Sequence, residues 1–321
     1  MPLATESAAL DLPEFTFGRV FSTWTLDPAL FVVAVWATGA YLYAVYLLRR
    51  RGDRWPVGRT IAFVGGGMGT FFFATHSGLG VYDSTLLSVH MVQHMVLSMI
   101  VPLFLALGAP VTLALRTLPP APRSWLLALL HSGLAKVLGF PPLAFGLFVL
   151  TPWALYFSPW YDASVSSEYV HAMTHIHMVA VGALFFWPLM GVDPLPGRVE
   201  FPFRMLLVFL TLPFHAFLGL TVMNQVTLIG EDHYLGLREG PMGEWLPEAL
   251  ADQHLAGGIL WGSGDLVAIV FLAVLFSQWV RQSLREGERE DRRLDRLEAQ
   301  QRRAEADNGG PDGGAAPGGV R

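Results

Sequence analysis

The sequence predicts an all-α polytopic membrane fold with seven transmembrane helices. Only 15% of its 321 residues are charged and 53% are hydrophobic, where a soluble globular chain carries about 25% charged residues. Seven stretches are apolar and long enough to cross a bilayer, which takes about 20 residues. No stretch alternates as a membrane β-strand would, which argues against a barrel. The apolar content also excludes disorder over most of the chain. There is no cysteine, so disulfides, thiolate metal sites and cysteine catalysis are ruled out.

Residues 1–27 read as an outer tail with an interfacial Trp24; they lack the basic and short apolar regions of a signal peptide. The transmembrane domain is expected over 28–280. Its spans are placed at 28–48, 58–76, 84–113, 138–157, 168–190, 202–224 and 251–280. The third and seventh are long enough to tilt or kink. Pro102 should interrupt the bonding of the third, and Pro110 should mark its end. Segment 120–134 is expected along the inner interface. Residues 281–306 alternate Arg with acidic residues and read as a charged cytoplasmic juxtamembrane helix. Residues 307–321, rich in Gly and Pro, read as a disordered tail. No internal repeat of the transporter kind is visible.

Charge sets the expected orientation. Nineteen of the 21 basic residues fall in the loops and tail of one side, leaving Arg19 and Arg238 on the other. Basic residues stay cytoplasmic, so the N-terminus is expected outside and the C-terminus in the cytoplasm. The formal charge of −5 then splits into a net −11 outside and +7 inside, with Asp265 within the seventh span. An acidic outer face would concentrate cations. The same imbalance also follows from simple depletion of Arg on that side.

Ionisable residues inside a membrane are costly and mark candidate sites. His90 and His94 lie about 9 and 15 Å into span three, His171 and His175 about 5 and 10 Å into span five, at roughly 1.5 Å per residue. Each pair is spaced i,i+4, which puts both rings on one helix face. His215 in span six and His254 in span seven add single rings in the same half of the membrane. His177 is about 200° round the helix from His175 at 100° per residue. The bland reading of a single intramembrane His is a packing hydrogen bond, and it is kept for His215 and His254 taken alone. Two pairs at one depth on one side point to a ligand set. Met91, Met95, Met99, Met173, Met178 and Met223 lie near them, as packing or as thioether donors. Asp83, Glu168 and Asp252 stand near the outer mouth as supporting or entry groups. Asp265 reads as an ion site or as a partner of Ser263 or the backbone.

Imidazole suits copper, zinc, iron and nickel, and thioether biases a site towards Cu(I). Three classes of function therefore stand. One is a metal-handling protein, not an enzyme, that takes an ion from the outer side and passes it on. A second is an electron-transfer protein with bis-His haem between helices, against which the scarcity of outer Arg counts. A third is a proton-coupled transporter. No nucleic-acid partner is expected.

Four blocks resemble one family. The run His90-Met-Val-Gln-His94-Met, continuing through Pro102 to Leu107-Gly-Ala-Pro-Val-Thr-Leu-Ala-Leu-Arg116, is similar to the signature of the CtaG family of cytochrome c oxidase assembly factors. His171-Ala-Met-Thr-His175-Ile-His177, Phe185-Phe-Trp-Pro188 and Gly191-Val-Asp-Pro194-Leu-Pro196 resemble its next block. Pro213-Phe-His215-Ala-Phe-Leu-Gly219 and Asp252-Gln253 with Gly257-Gly258 and Trp261 resemble the last two. The likeness covers most of 28–280, in order, and is greatest to the actinobacterial-type members. It implies about seven helices in a bacterial plasma membrane and a role in maturing haem–copper oxidases through copper delivery, with oxidase subunits, copper and lipid as partners. It also implies metal ligation by His90, His94, His171, His175 and His215, with His177 inside the motif. It does not extend to His254.

Overall fold

The computed structural model describes residues 12–195 and 199–308, with side chains to Arg303. The expected tail beyond residue 308, residues 1–11, and Pro196 and Arg198 lie outside the described residues. Among the described residues every regular element is helical, apart from an isolated bridge between Trp24 and Ser77.

Six helices are long and apolar enough to cross a membrane: α1 (Pro28–Arg50), α2 (Val57–His76), the run Leu87–Thr117, Glu168–Met190, Phe201–Asn224 and the last helix, which begins at Ala249. A seventh crossing exists if Pro141–Tyr156 and Trp160–Ser166, bent by 67°, form one span. The fourth expected span is thus a helix of 16 residues, about 24 Å long, completed only across a sharp bend.

The third apolar run is not one straight helix. It comprises α3 (Leu87–Met95), a π-helical turn over Val96–Ile100, α4 (Val101–Leu107) and α5 (Pro110–Thr117). Pro102 lacks an amide for Ser98 to bond, and the wider turn ends just before it. Ala109 closes α4 in the left-handed region at φ 49°, a conformation that costs a non-glycine residue about 1–2 kcal/mol. Pro110 then opens α5, since proline fits a first helical position. A second π-helical stretch, Ile61–Gly69, widens α2.

Segment 120–138 forms α6 (Pro120–Leu130) and α7 (Gly133–Leu138), both without fully buried residues. Next come α8 (Pro141–Tyr156), α9 (Trp160–Ser166), α10 (Glu168–Met190), α11 (Phe201–Asn224), α12 (Glu231–Glu239) and α13 (Ala249–Asn308). Leu87–Thr117 and α10 are the central helices, with 56% of their apolar window buried against 22% for α1. They touch closely because Gly182 has no Cβ: one there would run into the Ser98 carbonyl oxygen. Likewise α11 and α13 meet at Gly219 and Gly257, where a Cβ on either would sit 2.7 or 2.6 Å from the other's carbonyl oxygen. Small residues let helix backbones approach this way in membranes.

Residues 12–27 pack over the ends of these helices. Val20 joins Leu79, Tyr82, Leu86 and Val89 in one apolar cluster. The Tyr82 hydroxyl donates to the Pro13 carbonyl at 2.7 Å and the Trp245 indole to that of Leu12 at 3.1 Å. At the opposite end of α10, the buried Arg204 side chain donates to the carbonyls of Val199 and Leu189. From Ala273 onward α13 belongs to a separate unit. Its charged part carries exposed pairs such as Arg292–Glu288 and Arg302–Glu298, each worth about 0.3–0.5 kcal/mol.

Candidate metal centre

The site forms where three segments meet. Helix α3 brings His90 and His94, helix α10 brings His171 and His175, and the turn between α2 and α3 brings Asp83. The i,i+4 spacing does what the helical period requires: the His171 and His175 rings lie 4.4 Å apart and the His90 and His94 rings 6.4 Å apart.

Asp83 converts two rings into a cluster. Its Oδ2 lies 3.3 Å from His171 Nε2 and 3.5 Å from His175 Nε2, without hydrogen-bond geometry. One ligand atom from each of the three residues falls within 4.8 Å of the others. Burial opposes the charge on Asp83, but the two imidazoles outweigh it and hold the carboxyl below the usual carboxylate range. His90 is 1% exposed, and its rim neighbours are aromatic: the Tyr161 ring is 5.4 Å away and that of Tyr156 5.9 Å. Both nitrogens of His90, both of His175, Nε2 of His171 and Oδ2 of Asp83 are buried without a hydrogen-bond partner. Buried polar atoms are nearly always satisfied, and this concentration of orphans makes the cluster a candidate ligand site.

The remaining histidines separate. His94 stands outside the Asp83 group, with Nδ1 2.5 Å from the Tyr156 hydroxyl. It lines a cavity of about 10 Å³ together with His215 and Met178. His215 is buried, and its Nδ1 lacks a hydrogen-bond partner. His177 lies against Trp160, ring to ring at 5.0 Å, with its Nε2 buried and without a partner. His254 is exposed. His76, the last residue of α2, is fully buried and sits 2.7 Å from the Thr75 hydroxyl.

The carboxylates near the cluster do different work. Asp252 accepts from the backbone N–H of Leu87 and Ser88, so it caps α3, the helix of His90 and His94. Glu168 is exposed in the first turn of α10. Asp193 caps α5: Thr112 donates to it from both backbone and hydroxyl, Val111 from the backbone, and the Trp187 indole adds a bond at 3.0 Å. Asp265 pairs with the Trp261 indole at 2.8 Å, whereas Ser263 bonds the Ile259 carbonyl. Gln253 ties α13 to the loop after α11 through Ile229 and Thr227. Sequence reasoning left Asp83 as a supporting group, because it lies in a turn where helical spacing gives no register. Its only signal was an acidic residue between two His-facing spans.

Comparison with known proteins places this architecture. A model of the family described as cytochrome c oxidase caa3 assembly factor matches residues 39–282. An uncharacterized protein of Mycobacterium bovis is 41% identical over 287 residues, covering 87% of this chain and 43% of its own length. One of Mycobacterium leprae is 38% identical over 284 residues, covering 86% of this chain and 42% of its own length. The chain thus spans less than half the length of these curated relatives. No solved structure matches it. On the family match across most of its membrane helices, this chain belongs to the cytochrome c oxidase caa3 assembly factor family.

Proposed function

We propose that this chain holds copper at Asp83, His171 and His175, with His90 beside them, and passes it to subunits of a haem–copper cytochrome c oxidase. The observation that carries this reading is the buried cluster of Asp83, His171 and His175, one ligand atom of each lying within 4.8 Å of the others. A buried polar atom left unsatisfied costs about 1–3 kcal/mol, and a cation bound to the carboxylate and to one nitrogen of each ring would relieve those three atoms together. The donor set of imidazole and carboxylate suits copper, zinc and iron alike; the match to a cytochrome c oxidase assembly factor family supports the choice of copper among them. The copper is cargo, and its passage is a ligand exchange with no bond made or broken in a substrate. The protein therefore acts as a carrier and not as an enzyme.

The surplus of basic residues in the loops after α1, α5 and α10 and in the tail supports an outside N-terminus and a cytoplasmic C-terminus in the bacterial plasma membrane. On that orientation Asp83 stands at the outer end of the bundle, under residues 12–27. Bis-His haem is less well supported. The His171 and His175 rings are 4.4 Å apart, and the cavity between His94 and His215 holds about 10 Å³, room for one water and not for a porphyrin. Metal analysis and an absorbance spectrum of the purified chain test the proposal. Copper near one or more per chain without a Soret band is expected. A Soret band with stoichiometric iron would overturn it.

A further inference from the structure

We propose a second, deeper copper station formed by His94 and His215, with the Met178 thioether, separate from the Asp83 cluster. The inference rests on the copper reading of that outer cluster and deepens it. Two i,i+4 histidine pairs on two helices can hold one metal or two. The geometry points to two, because the imidazoles divide between two places. His171 and His175 turn to Asp83. His94 and His215, from α3 and α11, line a shared cavity with Met178 from α10.

This cavity has the features of a small soft-cation site. Its volume is about 10 Å³, enough for one water-sized sphere. His215 Nδ1 is buried with no hydrogen-bond partner. Pro152 also lines the cavity and withholds from the Phe148 carbonyl the amide that would have bonded it. No carboxylate lines it, so two neutral imidazoles and a thioether would hold a monovalent ion with no buried anion. That chemistry selects Cu(I). Tyr156 sets the ring. For His94 to ligate through Nε2, Nδ1 must carry the proton and donate it to the Tyr156 oxygen, the outer hydrogen bond that fixes a ligating imidazole.

His90 joins the stations. It lies within electrostatic reach of Asp83, His171, His175 and His94, and its ring is 6.4 Å from that of His94, one helical turn further along α3. Both of its nitrogens are without partners. A Cu(I) ion can therefore move from the carboxylate cluster to His90 and on to His94 and His215 by stepwise ligand exchange. It stays monovalent throughout, and no electron is transferred.

Anaerobic titration of the purified full chain with Cu(I), against a chromophoric Cu(I) chelator, tests the two stations. Wild type is expected to retain two Cu(I) per chain, His215→Ala one, and the double variant Asp83→Asn, His171→Ala one. Copper X-ray absorption of that double variant should show sulfur scattering, which Met178→Leu removes; this arm stands even if His215→Ala fails to fold. One Cu(I) in wild type and one in His215→Ala would overturn the inner station and leave the outer reading intact. Loss of both ions in His215→Ala would show a single joint site and overturn it too. No retained Cu(I) in wild type would overturn both readings.

Discussion

The carboxylate of Asp252 accepts the backbone N–H of Leu87 at 2.7 Å across 165 residues of sequence. The cap residue of α3, Leu86, offers no side-chain bond of its own. An acidic group at a helix N-terminus satisfies its open amides and complements its dipole. Here the cap comes from α13, so the last helix fixes the start of the helix that carries His90 and His94. Asp252→Ala should lower stability by roughly 1–3 kcal/mol, because it leaves a buried donor unsatisfied, while Asp252→Asn should cost less. The thermal unfolding midpoint in detergent checks this; equal midpoints for both variants and wild type would sink it.

Asp193 makes the same argument at the opposite end. It gathers Val111, Thr112 and Trp187 and holds α5 after the left-handed turn at Ala109. Asp193→Ala is expected to speed hydrogen exchange across Pro110–Thr117 while leaving α3 protected. Unchanged exchange there would show that the turn holds without its cap.

Close packing at Gly182 is also testable. A side chain there meets the Ser98 carbonyl, and overpacking of this kind costs about 1–3 kcal/mol. Gly182→Val should lower the unfolding midpoint and weaken copper retention together. Gly146→Ala, where a Cβ meets no atom within 4 Å, should leave both unchanged or raise stability by about 0.5–1 kcal/mol. Similar midpoints for Gly182→Val and wild type would refute the contact.

Much of this was legible in the sequence, for reasons particular to each residue. The helical period alone put His90 with His94 and His171 with His175 on common faces, and it separated His177 from them. Pro102 and Pro110 announced the break in the third span. What stayed hidden depended on contacts between distant segments. Asp83 sits in a turn, where no periodicity fixes direction. Asp252 and Asp193 resembled entry groups or motif letters, and only the fold shows them closing helices. The division of the histidines into two clusters needed the relative rotation of three helices.

The absence of cysteine makes orientation directly measurable. A single cysteine at exposed Asp232 should react with a membrane-impermeant maleimide on whole cells, and one at exposed Arg123 only after permeabilisation. The reverse pattern would invert the topology and place the Asp83 cluster on the cytoplasmic side.

The copper content of purified variants decides whether the Asp83 cluster holds the metal. Wild type and His254→Ala, whose ring is exposed, should retain equal copper after dialysis against a weak chelator. The double variant Asp83→Asn, His171→Ala should lose at least one ion per chain while remaining folded in the membrane fraction. Full copper retention by that variant would contradict the account.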